Sequence, residues 1–132
     1  MKLLVAGPSP FVRKVRVLIH ETNQQSAIEE VNVVASPTGP DAELIAANPS
    51  GKIPALIRDD GPAIYDSRVI CRFLDARVGS GLYPDARIWE TLTLEASADA
   101  LMDAAVLMVY EERFRKEGER SQSWLEGQAD KV

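Results

Sequence analysis

The sequence predicts an α/β domain over residues 1–78, built as a mixed four-stranded sheet with helices. The first helices of an all-α domain follow over residues 85–132. Three observations predict this. Period-2 and period-3.6 segments succeed one another as strand, helix, strand, helix, strand, strand, helix. The first two strands are joined by a crossover helix, which implies parallel pairing, and the last two by a hairpin, which implies an antiparallel edge. The composition then shifts at residues 79–84, and a long run rich in Ala, Leu, Met and Glu begins.

Residues 2–6 form a short apolar run that reads as a buried strand, broken by Gly7-Pro8-Ser9-Pro10. Ser9 suits a helix N-cap, and Pro10 suits the first helical position, where a missing N–H costs nothing. Val12, Val15, Leu18 and Ile19 repeat at helical spacing up to Thr22-Asn23, with Arg13, Lys14 and Arg16 on the solvated face. Residues 29–34 alternate as a second strand. Pro37-Thr38-Gly39-Pro40 is a turn, and residues 41–47 make a short helix that Asn48-Pro49 ends. Residues 54–58 and 63–65 are strands three and four, separated by the hairpin signal Asp59-Asp60-Gly61. A helix over 67–77 stops at Gly79-Ser80-Gly81. This order matches the thioredoxin-like layout. Beyond the linker, one long helix covers 85–116, Gly118 breaks it, and Ser121 or Ser123 caps another that runs to the end of the chain. Two helices do not close a bundle, so the second domain reads as partial.

Composition excludes several classes. Acidic residues outnumber basic ones by five in 132 residues, which argues against nucleic acid, whose partners carry a basic face. The single cysteine, Cys71, allows no internal disulfide framework and fits a reducing compartment. The apolar opening is too short for a signal peptide and is broken by Pro8 and Pro10. No run of apolar residues is long enough to span a membrane.

Three places can carry chemistry. Ser9 stands where a helix's unpaired N–H groups and positive dipole end favour an anion. Its position is the one that holds Cys-x-x-Cys in thioredoxin-like redox proteins, and here it reads Ser9-Pro10-Phe11-Val12. A protein thiol is therefore absent there. The serine hydroxyl either caps the helix only or donates to the sulfur of a bound thiol, favouring thiolate. Ile53-Pro54 follows a Gly51-Lys52 turn at a strand start. A trans proline would blunt the strand. A cis proline would turn the Ile53 N–H and C=O outward to pair with an extended peptide. Asp66-Ser67 is either a plain helix cap or a reader of an amino-acid head group, with Ser67 on a carboxylate and Asp66 on an ammonium. Lys52 is a solvated turn residue or reaches a ligand carboxylate. His20 is the sole histidine and has no metal-ligand spacing around it. Asp99 and Asp103 lie four apart without a histidine partner, so no metal is expected. Met102, Met108, Tyr110 and Phe114 on the long helix serve packing or line an apolar pocket.

Together these motifs resemble the glutathione S-transferases. Asn48-Pro49-x-Gly51-Lys52-Ile53-Pro54 follows the family's Asn-Pro-x-Gly-Lys-Val-Pro turn. Ser67-x-Val69-Ile70-x-x-Phe73-Leu74 follows its Ser-x-Ala-Ile-x-x-Tyr-Leu helix. The start Ser9-Pro10-Phe11-Val12-Arg13-Lys14 is most similar to bacterial members with a serine at the active position. The resemblance implies that residues 1–78 are the whole glutathione-binding domain and that Pro54 is cis. It implies that Ser9 activates the glutathione thiol, that Lys52, Ile53 and Pro54 hold the peptide, and that Asp66 and Ser67 hold the γ-glutamyl end. It implies a cytoplasmic, homodimeric detoxification enzyme that uses glutathione as co-substrate, a small electrophile as second substrate, and no metal, membrane or nucleic acid. The departure is length, because family members carry a complete helical second domain in which the electrophile pocket is normally built. A non-catalytic binding or regulatory module of the same fold is the alternative. A glutathione-dependent redox enzyme is disfavoured by the missing cysteine at position 9.

Overall fold

The computed structural model describes residues 1–132 and divides them into two compact units, Met1–Asp85 and Ala86–Val132. In the first unit, β1 (Lys2–Val5) is the central strand of a three-stranded sheet ordered β2-β1-β3. β2 (Glu29–Asn32) pairs with it in parallel, Leu4 opposite Val31. β3 (Ala55–Ile57) pairs antiparallel, Leu4 opposite Ala55. Helix α1 (Pro10–Glu21) is the crossover between the parallel strands, and α2 (Ala42–Ala47) and α3 (Ser67–Val78) complete the unit.

The expected fourth strand is a correction. Only Ile64 pairs, exchanging two backbone bonds of 2.9 Å with Leu56 as an isolated bridge. Pro62 has no N–H to extend the ladder, and Asp66 already caps α3, so the segment is too short for a strand.

Alternation along β1 divides the core between two layers. Leu3 and Val5 face a cluster with Val12, Val15, Leu18 and Ile19 of α1 and Ile70, Cys71 and Leu74 of α3. Leu4 points to the other face, against Leu44 and Ala47 of α2. The sheet is thus covered on both sides, and β1 is buried from Leu3 to Val5. Gln24, 3% exposed, ties the layer together: its amide donates to the Leu74 carbonyl at 2.9 Å and accepts from Arg77.

α3 ends in a left-handed Gly79 at φ 61°. Asp75 of its last turns is buried and accepts from the Ser80 hydroxyl and the Leu82 N–H, pinning the segment that follows. Residues 85–87, at the boundary between the units, form a 3-10 turn rather than the start of the long helix. α4 (Ile88–Phe114) then runs 27 residues and packs with α5 (Gln122–Ala129). Ser121 caps α5, its hydroxyl accepting from Trp124 N–H. α5 closes at Ala129, three residues before the last one, because its Asp130 cap folds back on Glu126 and Gln128. α4 exposes large apolar side chains, Trp89 at 79% and Leu94 at 74%. No helix is long and apolar enough to cross a membrane.

Candidate functional site

Strand directions alone gather the three candidate places. α1 starts just beyond the C-terminal end of β1. β3 runs opposite to β1, so its first residue, Ala55, lies at that same end beside Leu4. The Ile64 bridge runs opposite to β3, so it delivers the chain to the start of α3 at that end again. Ser9, Ile53-Pro54 and Asp66-Ser67 therefore stand at one end of the sheet, where α1 and α3, packed side by side, both present their N-termini. Unpaired N–H groups and two dipole ends make that edge favourable to anions.

Ser9 is the N-cap of α1, half-buried, with Oγ accepting from Val12 N–H at 3.3 Å. A hydroxyl has one proton and two lone pairs. The cap uses a lone pair and leaves the proton free, so capping and donation to a ligand are compatible. The two readings of Ser9 are not exclusive.

The turn before β3 is shaped by Asn48. It is 2% exposed, its Nδ2 donates to the Lys52 carbonyl at 2.7 Å, and its Oδ1 accepts from the Ser50 N–H and hydroxyl. Gly51 takes φ 66°, with the place of a Cβ only 3.2 Å from Ile45 and Pro40 side-chain atoms. Lys52 beside them is exposed, and the turn delivers Ile53 to the sheet end. The Ile53–Pro54 peptide is cis. The Ile53 side chain reaches both core clusters, whereas its backbone N–H and C=O form no hydrogen bond within the chain. Pro54 is buried.

Asp66 is the N-cap of α3 and accepts from Arg68 N–H at 3.1 Å. Its carboxylate also meets the Arg68 guanidinium, Nη2 to Oδ2 at 2.7 Å, with both side chains half-exposed. The Arg68 hydrogen bond holds the Asp66 carboxyl below the usual range, and Lys14 of α1 adds to that from the neighbouring helix. Sequence reasoning missed Arg68; its place two residues after a candidate N-cap was the available signal. Ser67, the first residue of α3, is 2% exposed and stands beside the unpaired N–H groups of that helix's first turn.

The remaining candidates lie elsewhere. His20 is exposed and its Nδ1 meets Gln25 at 2.9 Å. Cys71 is fully buried in the α3 core face. No group of three or more His, Cys, Asp or Glu side chains gathers in a metal-binding arrangement. Asp99, Asp103, Met102, Met108, Tyr110 and Phe114 all belong to α4 in the second unit, where Tyr110 and Phe114 meet edge-on at 5.4 Å. A separate cleft of about 470 Å³, lined by Met1, Asp59, Asp60, Phe73, Ala76 and Arg77, opens toward the C-terminal end of α3, away from Ser67.

Comparison with known proteins gives consistent results. The family model described as "Glutathione S-transferase, N-terminal domain" matches residues 8–77. A curated relative, the uncharacterized GST-like protein YibF of Escherichia coli K12, is 32% identical over 136 residues, covering 100% of this chain and 64% of its own length. Among solved structures, a glutathione transferase family member from Pseudomonas fluorescens Pf-5 with bound glutathione is 46% identical, with a TM-score of 0.93 over 99% of this chain and 65% of that one. A glutathione S-transferase from Methylobacillus flagellatus KT with glutathione bound is 40% identical, with a TM-score of 0.83 over 99% and 64%. The chain thus spans a little under two thirds of the length of these relatives.

Proposed function

The chain belongs to the glutathione S-transferase family, and from that premise we propose that its first unit binds glutathione and transfers the thiolate to a small electrophile. The observation that most supports this is the meeting, at one sheet end, of a capping serine with a free proton, an unbonded Ile53 peptide and a buried Ser67 at the start of α3. Relatives of 40–46% identity hold glutathione, and their fold extends over nearly all of this chain.

In this reading the cysteinyl unit lies antiparallel to Ile53 and exchanges two backbone hydrogen bonds with it. Pro54 fixes the chain direction there. Ser67 and the N–H groups of α3 accept the γ-glutamyl carboxylate, and Asp66 lies within the reach of its ammonium. Lys52 attracts the glycyl carboxylate. The sulfur then stands at Ser9, whose O–H donates to it. A hydrogen bond to the charged form lowers the thiol pKa, and the proton leaves to water. The thiolate attacks the electrophilic carbon, a C–S bond forms, and the displaced group departs with its electron pair. No protein base is needed, because the thiolate is itself a strong nucleophile. Under this reading the protein acts as a cytoplasmic homodimer in detoxification.

The test is turnover: purified protein, glutathione and a chromogenic aryl halide, with Ser9→Ala as control. Conjugation that the variant loses supports transfer. Binding without turnover by a folded chain favours the second reading, a non-catalytic module, which the exposed apolar side chains of α4 also favour.

A further inference from the structure

Glutathione carries charge at both ends, an ammonium and a carboxylate at the γ-glutamyl end and a carboxylate at the glycyl end. The first unit treats these ends unequally. With the γ-glutamyl end at Ser67 and the cysteinyl unit antiparallel to Ile53, the glycyl end runs past Lys52 toward residues 33–51. That stretch contains no Lys, Arg or His, and it contains Asp41 and Glu43. Its packing around the turn is apolar: Pro40 and Ile45 close over Gly51, and Ile45 is 41% exposed. Lys52, the next residue along the chain, is exposed. The other end has the α3 N-terminus, the Ser67 hydroxyl, Arg68 on Asp66 and the positive influence of Lys14.

We propose that the co-substrate class is γ-glutamylcysteinyl thiols, anchored at the γ-glutamyl end and only weakly read at the C-terminal end, so that a neutral or missing glycyl carboxylate is accepted. This rests on the glutathione reading above. An exposed ion pair is worth little and is screened by salt, so Lys52 favours the glycyl carboxylate by about fivefold at most. Asp41 and Glu43 add negative charge to that stretch, not a partner for an anion. The apolar surface of Pro40 and Ile45 compensates a ligand whose carboxylate is masked as an ester.

Calorimetric titration of the whole chain with glutathione, its glycyl ethyl ester and γ-glutamylcysteine tests this. The expected result is three affinities within about fivefold, which Lys52→Gln brings closer still by weakening glutathione alone. A loss of about fiftyfold or more for the ester or the dipeptide, with glutathione itself bound, overturns the proposal and leaves the glutathione reading standing. Absence of binding by all three to a folded chain overturns both.

Discussion

Ser9 supports the fold and the proposed chemistry with different parts of one hydroxyl. Its lone pair caps α1 and its proton remains to donate. Ser9→Ala is therefore expected to leave glutathione affinity within a few-fold and to raise the bound thiol pKa by about one unit, roughly 1.4 kcal/mol. Thiolate absorbance against pH measures this, and an unmoved pKa would reduce Ser9 to a cap. Gly51 is a second sensitive residue. Its φ of 66° and two side-chain neighbours at 3.2 Å leave no easy room for a methyl group. Gly51→Ala should cost about 1–2 kcal/mol by denaturant titration and disturb the Ile53 peptide it delivers. Equal stability of variant and parent would show that Pro40 and Ile45 yield freely.

At the scale of elements, the Asp75 clamp joins α3 to the segment after it. Removing it in Asp75→Ala leaves the Ser80 hydroxyl and the Leu82 N–H without their acceptor, an expected loss of about 1–3 kcal/mol in unfolding free energy. A loss below experimental error would show that water replaces it. This clamp was not legible in the sequence, because an Asp in a late helical turn looks like any solvated residue until the loop folds over it. Elements that depend on local signals were legible: the Ser9-Pro10 start of α1, the Gly79 stop of α3 and the apolar run of β1. The fourth strand was not, since alternation over three residues does not tell a strand from a single bridge. The start of α4 was placed three residues early for a similar reason, as a 3-10 turn and a first helical turn share their residue types. At the site, the turn and helix motifs pointed to Lys52, Ile53, Pro54, Asp66 and Ser67. Arg68 and the clamping bonds of Asn48 emerged only in three dimensions, because each depends on side-chain geometry that no periodicity encodes.

For the whole molecule, charge sets the response to acid. Glu30 is held low by its Arg16 hydrogen bond. Asp66 is held low by Arg68. Asp75 is pushed up by burial, but hydrogen bonds from Ser80 and the backbone N–H groups of the following segment outweigh this and leave it lowered. All three have folded values below their unfolded ones, so the unfolded chain binds more protons in that interval. Their stabilisation is complete above the ordinary carboxylate range, about pH 4, and is lost as pH falls through the lowered values. Thermal melts should be nearly level from about pH 7 to 5 and fall below about pH 4, with Asp75→Asn showing a shallower fall. A melting temperature that rises on acidification would contradict this. The central claim concerns the sheet end where α1, Ile53 and α3 meet. Calorimetric titration with glutathione, with Ser67→Ala as control, tests it most directly. The account predicts saturable binding by the parent chain and a weakening of at least about tenfold in the variant, as a buried hydrogen bond to a carboxylate is lost. A folded parent chain that takes up no glutathione would contradict it.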